Sequence, residues 1–395
     1  MLETARVEPS ELEAFGRDLA ELHARLPAVA PAQAWGRPAE VRAIILRNLA
    51  QCVEVAAVFA TTAAIEALRV PLEAALNAAE PWVTRRRAAG HVRECHGDLY
   101  TRNIVRHDAR LVAFDCMEFE PAFRWTDVAD ELALLLCDLQ ARDRPAHAQA
   151  FLGGYLAQSG DYQACRVLNP YKVHRALVRA KVVALSAAEA ADDAARRLLR
   201  GEHLRLVACA ADTLAKRGPR LVLMCGMSGS GKTWLAALLA CQLGAVHLRS
   251  DVERKRRAGL PEFARSGSGV GAGLYSSDTS ATVYQHLAGC AEDVLGGDHA
   301  VIVDATFSRR DDRARFHVLA TQLGLDPQIV WCVAPADVLR ARVRDRLRRA
   351  ADASEAPAPD EGFGVVRVDT TDPQATDHVL WRLSGMSGAG QRSTQ

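Results

Sequence analysis

Eight consecutive residues near the middle of the chain have the composition and spacing of a phosphate-binding loop. They fit the pattern G-x-x-x-x-G-K-[ST] at every position, between a short apolar run and a helical pattern. Such glycines let backbone N–H groups converge on phosphate oxygens, while the lysine reaches the β and γ phosphates and the threonine hydroxyl can ligate Mg²⁺. We therefore predict that this loop binds ATP and Mg²⁺. Its residues are Gly226, Met227, Ser228, Gly229, Ser230, Gly231, Lys232 and Thr233.

A carboxylate and an arginine follow the next predicted strand, 245–248. Asp251 falls at the carboxyl edge of the sheet, where open α/β sheets bind ligands. A carboxylate at this edge can accept a hydroxyl proton, and Arg254, three residues later, can hold a substrate group or a phosphate beside it. Helix capping is the structural alternative for Asp251, and the two roles can coexist.

Further charged side chains follow later predicted strands. Asp304 ends an apolar strand, which is the expected place for a carboxylate that contacts the water shell of Mg²⁺ or orients a water. Capping of the following turn is the alternative for Asp304. Arg342 and Arg346 share a helical face and can neutralise charge on a transferring phosphoryl group, although a solvated basic face explains them equally well.

A second set of chemical groups lies in the first half of the chain. Residues 96–103 have the form H-x-D-x-x-x-x-N, and Asp115 follows after a predicted hairpin. In a protein-kinase-like catalytic loop the aspartate takes the substrate proton, while the asparagine and the later aspartate hold Mg²⁺. These roles would fall to Asp98, Asn103 and Asp115.

The elements that must position these residues indicate two domains, as does the length of 395 residues. Residues 1–217 are alanine-rich and read as mostly α-helical, with one hairpin near 105–114. From residue 218 onward the pattern alternates β and α, which predicts an α/β P-loop domain with a parallel sheet over 218–384. Residues 385–395 are predicted to be a disordered tail.

The individual elements follow from apolar runs and helical periodicity. Strands are predicted at 221–224, 245–248, 300–303, 329–333 and 365–368. Helices of the second domain are predicted at 233–243, 279–295, 309–323 and 336–349. In the first domain, proline and glycine predict helix breaks near 144–145, 160 and 169–170.

Composition narrows the classes of partner and the location. The formal net charge of +1 gives no electrostatic reason to expect nucleic acid or a membrane, which leaves a small-molecule hydroxyl acceptor. No run approaches the roughly 18 apolar residues of a spanning helix. The ten cysteines include no C-x-x-C pair and read as buried thiols in a reducing compartment, not as disulfides or zinc ligands. We therefore expect a cytoplasmic protein.

Residues 219–382 resemble the P-loop kinases of the gluconate kinase, zeta-toxin and polynucleotide 5′-kinase type. The resemblance rests on the phosphate-binding loop, on Asp251 with Arg254, on Asp304 and on the arginine-rich segment 342–346. It implies that Asp251 is the general base, that Arg254 anchors the substrate and that the later arginines form a lid over ATP. The segment after residue 355 is short and proline-rich, which implies an abbreviated lid.

Residues 1–215 resemble the C-terminal lobe of an aminoglycoside phosphotransferase, and the whole layout resembles the bifunctional aminoglycoside phosphotransferase/ATP-binding proteins. Such enzymes hold ATP with a strand-rich N-lobe that carries a glycine-rich loop and a strand lysine. Neither feature occurs before Asp98. The sequence leaves open a degenerate module that binds substrate or regulates its neighbour, and a chain that starts further upstream. An exposed apolar face in place of the N-lobe predicts oligomerisation or poor solubility.

The leading interpretation is an ATP-dependent phosphotransferase that uses Lys232 and Asp251 to phosphorylate a hydroxyl group. One alternative is a regulatory switch, in which ATP binding or slow hydrolysis acts on the first domain. Another is aminoglycoside-type transfer by the first domain itself, through Asp98. The sequence does not distinguish among sugar, nucleotide, antibiotic and nucleic-acid 5′-end acceptors, although the near-neutral charge argues against the last.

Overall fold

The computed structural model of the chain describes residues 7–215, 218–260, 277–343 and 362–383. The chain divides into two compact units, residues 1–217 with 296–298 and residues 218–295 with 299–395. The predicted fold class is confirmed: a mostly α-helical part is followed by an α/β part with a parallel sheet. The predicted disordered tail, 385–395, lies outside the described residues.

The first unit consists mainly of helices. In chain order they are α1 (Pro9–Arg25), α2 (Pro38–Val55), α3 (Thr62–Glu66), α4 (Arg69–Ala88), α5 (Pro121–Arg124), α6 (Val128–Ala141), α7 (Pro145–Ser159), α8 (Cys165–Ser186) and α9 (Asp193–Leu214). Four short strands accompany them: β1 (Val92–Glu94), β2 (Ile104–His107), β3 (Arg110–Ala113) and β4 (Trp125–Asp127). β2 and β3 form the predicted antiparallel hairpin, and β1 pairs antiparallel with β4.

The break predicted near residues 169–170 is wrong, because α8 runs through Pro170. Proline removes one i→i−4 hydrogen bond and therefore disfavours a helix interior. In this unit the loss is offset by packing, since α8 contacts α2, α4, α6 and α9 and Pro170 is buried. The helix breaks predicted near 144–145 and 160 are confirmed: α7 begins at Pro145, and Gly160 caps its end in the left-handed conformation.

A largely buried ion cluster joins the end of β4 to α4 and to the residues after α7. The guanidinium of Arg86 donates two hydrogen bonds of 2.9 Å to Asp127 and two more, of 2.6 and 2.8 Å, to Asp161. Both carboxylates and the guanidinium therefore have close partners. Removal of the Arg86 guanidinium would leave two neighbouring carboxylates without their counter-charge, and breaking a buried ion pair in this way typically costs about 3–5 kcal/mol.

The histidine at position 174 makes the stability of the first unit dependent on pH. Burial lowers the pKa of His174 to about 4, against about 6.5 in an unfolded chain. As the pH falls below about 6.5, the imidazole is protonated in the unfolded chain but not in the folded chain. The contribution of His174 to the free energy of unfolding is therefore complete above about pH 6.5 and is lost as the pH falls to about 4. We expect the free energy of unfolding to fall by about 3 kcal/mol over this range.

Urea unfolding of the full chain at several pH values, read by hydrogen exchange of the α8 amides, measures this effect. In the His174→Gln variant the side chain cannot titrate, so the fall should shrink by about the same 3 kcal/mol. An equally steep fall in the variant would show that other groups carry the pH dependence.

The second unit alternates strands and helices. Its strands are β5 (Leu221–Cys225), β6 (Val246–Arg249), β7 (Val301–Asp304), β8 (Gln328–Val333) and β9 (Gly364–Asp369). Its helices are α10 (Lys232–Leu243), α11 (Ser250–Arg257), α12 (Ser277–Gly296), α13 (Arg310–Gln322), α14 (Ala336–Val343) and α15 (Ala375–Leu383). The predicted strands differ from the observed ones by no more than one residue at either end, since runs of β-branched and aliphatic residues mark them clearly.

The five strands form one parallel sheet in the order β6-β7-β5-β8-β9. Apolar side chains on one face of the sheet pack against α10 and α15, for example Val222 and Ile302 against Leu235 and Leu239. The register aligns Met224 and Arg249 with Asp304, so the carboxyl ends of β5, β6 and β7 meet at one edge. That edge carries the candidate nucleotide site. Within the described ranges, no helix combines the length and apolar character needed to cross a bilayer.

Candidate active site

The phosphate-binding loop links the end of β5 to the start of α10. Gly226, Gly229 and Gly231 all have positive φ, at 143°, 84° and 81°, which non-glycine residues rarely adopt. Gly226 also lies against β8, where a Cβ atom would stand 2.4 Å from the carbonyl oxygen of Cys332. The N–H of Gly226 donates to the carbonyl of Thr306 at 3.2 Å. The start of the loop is therefore fixed from two neighbouring segments.

We expect Gly226→Ala to displace this loop. The added methyl group meets a backbone carbonyl, and the backbone conformation is strained, which together should lower the free energy of unfolding by about 1–3 kcal/mol. ATP affinity should fall as well, because the N–H groups of the loop no longer converge. Urea unfolding and calorimetric titration with ATP measure the two effects.

Gly244→Ala is the matched control, since Gly244 has a φ of 62° with nothing within 4 Å of a new Cβ. It should share the conformational penalty, about 1–2 kcal/mol, and keep ATP affinity. Unchanged ATP binding in Gly226→Ala would contradict the tight fit.

The middle of the loop is held by a residue that the sequence analysis did not assign to it. The hydroxyl of Thr370, just after β9, donates to the carbonyl of Ser230 at 2.5 Å. Ser230 is itself buried, and its hydroxyl lacks a hydrogen-bond partner among the described residues. Lys232 donates to the carbonyl of Met227 at 3.4 Å, so its ammonium group stays folded over the loop.

The carboxylate of Asp304 lies buried beside this loop. Burial alone would raise its pKa, but the hydrogen bond and charge of His247, together with Lys232 and Thr233, lower the pKa below its usual value. His247 Nε2 lies 3.3 Å from Oδ2. Oδ1 is buried without a partner at hydrogen-bond geometry in the described part of the chain, so neither oxygen caps the following turn. An ionised, unpaired oxygen next to a threonine hydroxyl suits a hard cation such as Mg²⁺.

The turn after Asp304 is positioned by two buried side chains that sequence reasoning missed. Phe307 has a positive φ of 48°, and its N–H donates to the hydroxyl of Tyr284 at 3.0 Å. Its carbonyl accepts from Arg313, which is fully buried, at 2.7 Å. Because Thr306 in this turn accepts the N–H of Gly226, both side chains act on the loop through the turn.

Asp251 lies in the first turn of α11, directly after the edge strand β6. The N-cap position belongs to Arg249, so the capping alternative for Asp251 is not found. The carboxylate is 44% exposed and forms an ion pair with Lys255 at 2.8 Å, one turn further along the helix. Arg254 lies on the same helix, and its charge acts on Tyr284. The edge of the sheet thus carries an accessible carboxylate one strand beyond Asp304.

The two lid arginines are only partly placed. Arg342 lies on α14, although nothing is described of its side chain. Arg346 lies outside the described residues. Their assignment to the transferred phosphoryl group remains a prediction from the sequence.

In the first unit, the residues of the predicted catalytic loop lie together. The side-chain amide of Asn103 donates to the backbone carbonyl of Asp98 at 2.9 Å and to its carboxylate at 3.1 Å. Glu131 of α6 accepts the backbone N–H groups of His96 at 3.1 Å and Gly97 at 2.8 Å. Burial alone would raise the pKa of Glu131. The hydrogen bond from His23 and these N–H groups outweigh burial, so the pKa lies below its usual value. Glu131 thus holds the loop. The sequence did not predict this role, because Glu131 lies within an ordinary helical pattern.

Asp115 lies next to this loop because the preceding residue, Phe114, is hydrogen-bonded to the loop. The N–H of Phe114 donates to the carbonyl of Asn103 at 3.0 Å, and the imidazole of His96 lies 2.9 Å from the carbonyl of Phe114. Asp115 itself is exposed and has a positive φ of 63°. Large apolar side chains nearby in sequence are exposed too, notably Phe119 at 80%.

Two family models match this chain, and each covers one of the two candidate sites. Residues 2–168 match the model described as a phosphotransferase enzyme family, abbreviated APH, and residues 221–359 match the one described as an AAA domain. The chain joins an APH phosphotransferase domain to a P-loop kinase-like domain. The resemblance inferred from the sequence is therefore confirmed at the level of both domains. The catalytic-loop pattern lies in the APH domain, and the phosphate-binding loop lies in the P-loop domain.

Individual relatives are similar over parts of the chain. Uncharacterized proteins of Mycobacterium tuberculosis and Mycobacterium bovis are 31% identical over 271 residues, which is 67% of this chain and 53% of theirs. The chain thus spans about half the length of these curated relatives. The shikimate kinase of Bradyrhizobium diazoefficiens is 31% identical over 144 residues, or 35% of this chain and 60% of that protein.

Solved structures are similar to less than half of the chain. The APS kinase of Mycobacterium tuberculosis is 20% identical, covering 42% of this chain and 96% of its own, with a TM-score of 0.34. A gluconokinase of Sinorhizobium meliloti is 19% identical, covering 44% of this chain and 99% of its own, with a TM-score of 0.27.

Proposed function

We propose that this chain is an ATP-dependent phosphotransferase, whose P-loop domain transfers the γ-phosphoryl group of MgATP to a hydroxyl of a small-molecule acceptor. The observation that supports it most is the buried Oδ1 of Asp304, which lies near Thr233 and Lys232 and has no partner at hydrogen-bond geometry among the described residues. A group of this kind needs an explanation, and a bound cation supplies one. A purely structural glycine turn does not require a partly unsatisfied carboxylate at its side.

The residues that would hold the magnesium ion are Thr233, through its hydroxyl, and Asp304, directly or through water. When bound, magnesium neutralises charge on the β and γ phosphates. The loop N–H groups and the ammonium of Lys232 orient the phosphates and stabilise the charge that develops during transfer. Arg342 and Arg346 would act on the same charge from the lid.

Asp251 would be the general base. It accepts the proton of the acceptor hydroxyl as the acceptor oxygen bonds to the γ-phosphorus, while the bond from that phosphorus to the bridging oxygen of ADP breaks. Arg254 would anchor the acceptor beside this carboxylate. Asp251 is paired with Lys255, so a substrate would have to compete with a partly exposed ion pair, typically worth less than about 1 kcal/mol.

ATP consumption by the full chain, with and without sugars, nucleosides and aminoglycosides, tests the proposal. Acceptor-stimulated turnover that disappears in Lys232→Ala would support it and would define the acceptor class. Hydrolysis that depends on Lys232 but ignores every acceptor would favour the alternative, a switch driven by ATP binding or slow hydrolysis.

A second candidate activity is supported by the fixed loop of the APH domain, where Asn103 donates to Asp98 and Glu131 accepts the backbone N–H groups just before Asp98. If this domain transfers phosphoryl groups to an aminoglycoside, Lys232→Ala should retain that transfer and the further change Asp98→Asn should remove most of it. Mass spectrometry of the acceptor measures the product. Complete loss of transfer in Lys232→Ala alone would exclude this candidate.

We also propose a cytoplasmic location. None of the ten cysteines, all of them in the described ranges, forms a disulfide bond, and eight are buried, which suits a reducing compartment. The near-neutral net charge of +1 favours a small acceptor over a polyanion such as nucleic acid.

A further inference from the structure

A carboxylate, an imidazole and a thiol converge at the contact between α11 and α12. Glu253 is on α11, while His286 and Cys290 lie four residues apart on one face of α12. His286 Nε2 is 2.9 Å from Glu253 Oε2 and 3.5 Å from Cys290 Sγ, and the three ligand atoms all lie within 4.8 Å of one another. One imidazole nitrogen therefore faces both of the other groups.

These distances are close to those around a tetrahedral zinc ion. With bonds of about 2.0 Å to nitrogen and oxygen and about 2.3 Å to sulfur, tetrahedral angles separate nitrogen from oxygen by about 3.3 Å and nitrogen from sulfur by about 3.6 Å. The imidazole–thiol distance already agrees. The imidazole–carboxylate distance needs to widen by a few tenths of an ångström, which a side-chain rotation supplies.

The surroundings suit a bound ion. Glu253 is fully buried and Cys290 is 7% exposed, while the side chain of His286 is 32% exposed and leaves a path from solvent. Arg256 contacts both carboxylate oxygens of Glu253, at 2.6 Å to Oε1 and 2.7 Å to Oε2. When a metal takes Oε2, Oε1 stays with Arg256, which would then orient the ligating carboxylate, as partners of metal ligands commonly do.

We propose that Glu253, His286 and Cys290 form a zinc site with three protein ligands, open to water or a further ligand at the fourth position. Mixed nitrogen, oxygen and sulfur donors favour Zn²⁺ over Mg²⁺, so this site is chemically distinct from the magnesium position at Asp304. The step is a simple substitution: Cys290 gives up its thiol proton to solvent as sulfur binds the metal.

A second cluster of the same composition shows why the first is preferred. His23, Cys95 and Glu131 also place their ligand atoms within 4.8 Å of one another. Both oxygens of Glu131 already accept backbone N–H groups, and the other nitrogen of His23 lies 3.0 Å from the hydroxyl of Tyr155. The oxygens of Glu253 have partners too, so access separates the two clusters: all three residues of the second cluster are buried, and it offers no path from solvent.

The zinc site would act on the element that carries the candidate base. α11 is only eight residues long, and Asp251 and Arg254 flank Glu253 on it. Ligation would fix α11 to α12 through bonds to metal, in place of a hydrogen bond to a half-exposed histidine. This part of the inference rests on the proposed function, whereas metal binding itself does not.

Metal binding by the full chain tests the site directly. We expect the purified, dialysed protein to retain about one zinc ion per chain by elemental mass spectrometry, and Co²⁺ to give a thiolate-to-cobalt charge-transfer band. In Cys290→Ser that band should vanish and zinc affinity should fall on the order of 100-fold or more, beyond the loss seen when only a supporting residue is changed. His286→Ala, at the more exposed ligand, should lower affinity similarly.

Cys95→Ser is the matched control, and it should keep both the band and the zinc. Wild-type protein that neither retains zinc nor gives the cobalt band would overturn the site, whatever the variants do. A band that persists in Cys290→Ser and disappears in Cys95→Ser would assign the metal to the other cluster. Because these measurements need no acceptor or ATP, their failure is distinguishable from failure of the proposed transfer reaction.

Discussion

The Asp251→Ala variant is expected to lose about 10²- to 10⁴-fold in kcat for acceptor phosphorylation, the usual contribution of a positioned general base. ATP binding should be largely intact, because Asp251 follows the edge strand β6, whereas the phosphate-binding loop follows β5. The loss should therefore appear in kcat and not in the dissociation constant of ATP. Steady-state kinetics with the identified acceptor and calorimetric titration with ATP measure the two quantities.

Lys255→Met is the control for the broken ion pair. It removes the same 2.8 Å contact as Asp251→Ala but leaves the carboxylate in place. We expect this variant to keep most of its activity, since a partly exposed ion pair is typically worth less than about 1 kcal/mol. Equal losses in both variants would mean that the pair matters and that Asp251 is not the base.

The second large effect is expected from Lys232→Ala. The ammonium group of Lys232 is folded over the loop at 3.4 Å from the carbonyl of Met227, and its charge also acts on Asp304. Without it the transferring phosphoryl group loses a charged donor, which should lower kcat by about 10²- to 10³-fold. ATP affinity should fall as well, because a hydrogen bond to a charged group is worth about 1.5–3 kcal/mol.

Lys181→Ala provides the comparison. Lys181 is a lysine of the first unit that donates to Gln51 at 2.7 Å at the surface, so its loss should leave ATP turnover unchanged. Retention of normal turnover by Lys232→Ala would move the reaction away from the P-loop and towards the APH domain.

The elements around the nucleotide site could be predicted because their signals are local. Five short apolar runs, a glycine pattern and a lysine next to a threonine are all contained within a few consecutive residues. The parallel order of strands then brings Asp304 and Asp251 to one edge by topology alone. In the same way, the pattern from His96 to Asn103 predicted a loop whose asparagine contacts Asp98 in the structure.

The supporting residues could not be predicted, because their roles depend on contacts across long stretches of chain. Thr370 meets Ser230, which lies 140 residues earlier, and Glu131 meets His96 and Gly97 from a helix without any distinguishing pattern. The helix break predicted at Pro170 is wrong for a related reason: packing around α8 outweighs the preference of proline against a helix interior. The cysteine spacing did not predict the proposed zinc site, because its other two donors, His286 and Glu253, lie one helical turn from Cys290 and on another helix.

The hydrogen bonds that hold the predicted catalytic loop to Glu131 have an entropic consequence for the APH domain. Fixing the backbone of a single residue costs about 1–2 kcal/mol of conformational entropy. At His96 and Gly97 this entropy is already lost on folding, because the buried carboxylate of Glu131 accepts their N–H groups. A molecule that binds beside Asp98 would therefore find a rigid receptor, and its affinity would depend on the contacts it makes and hardly at all on ordering the loop.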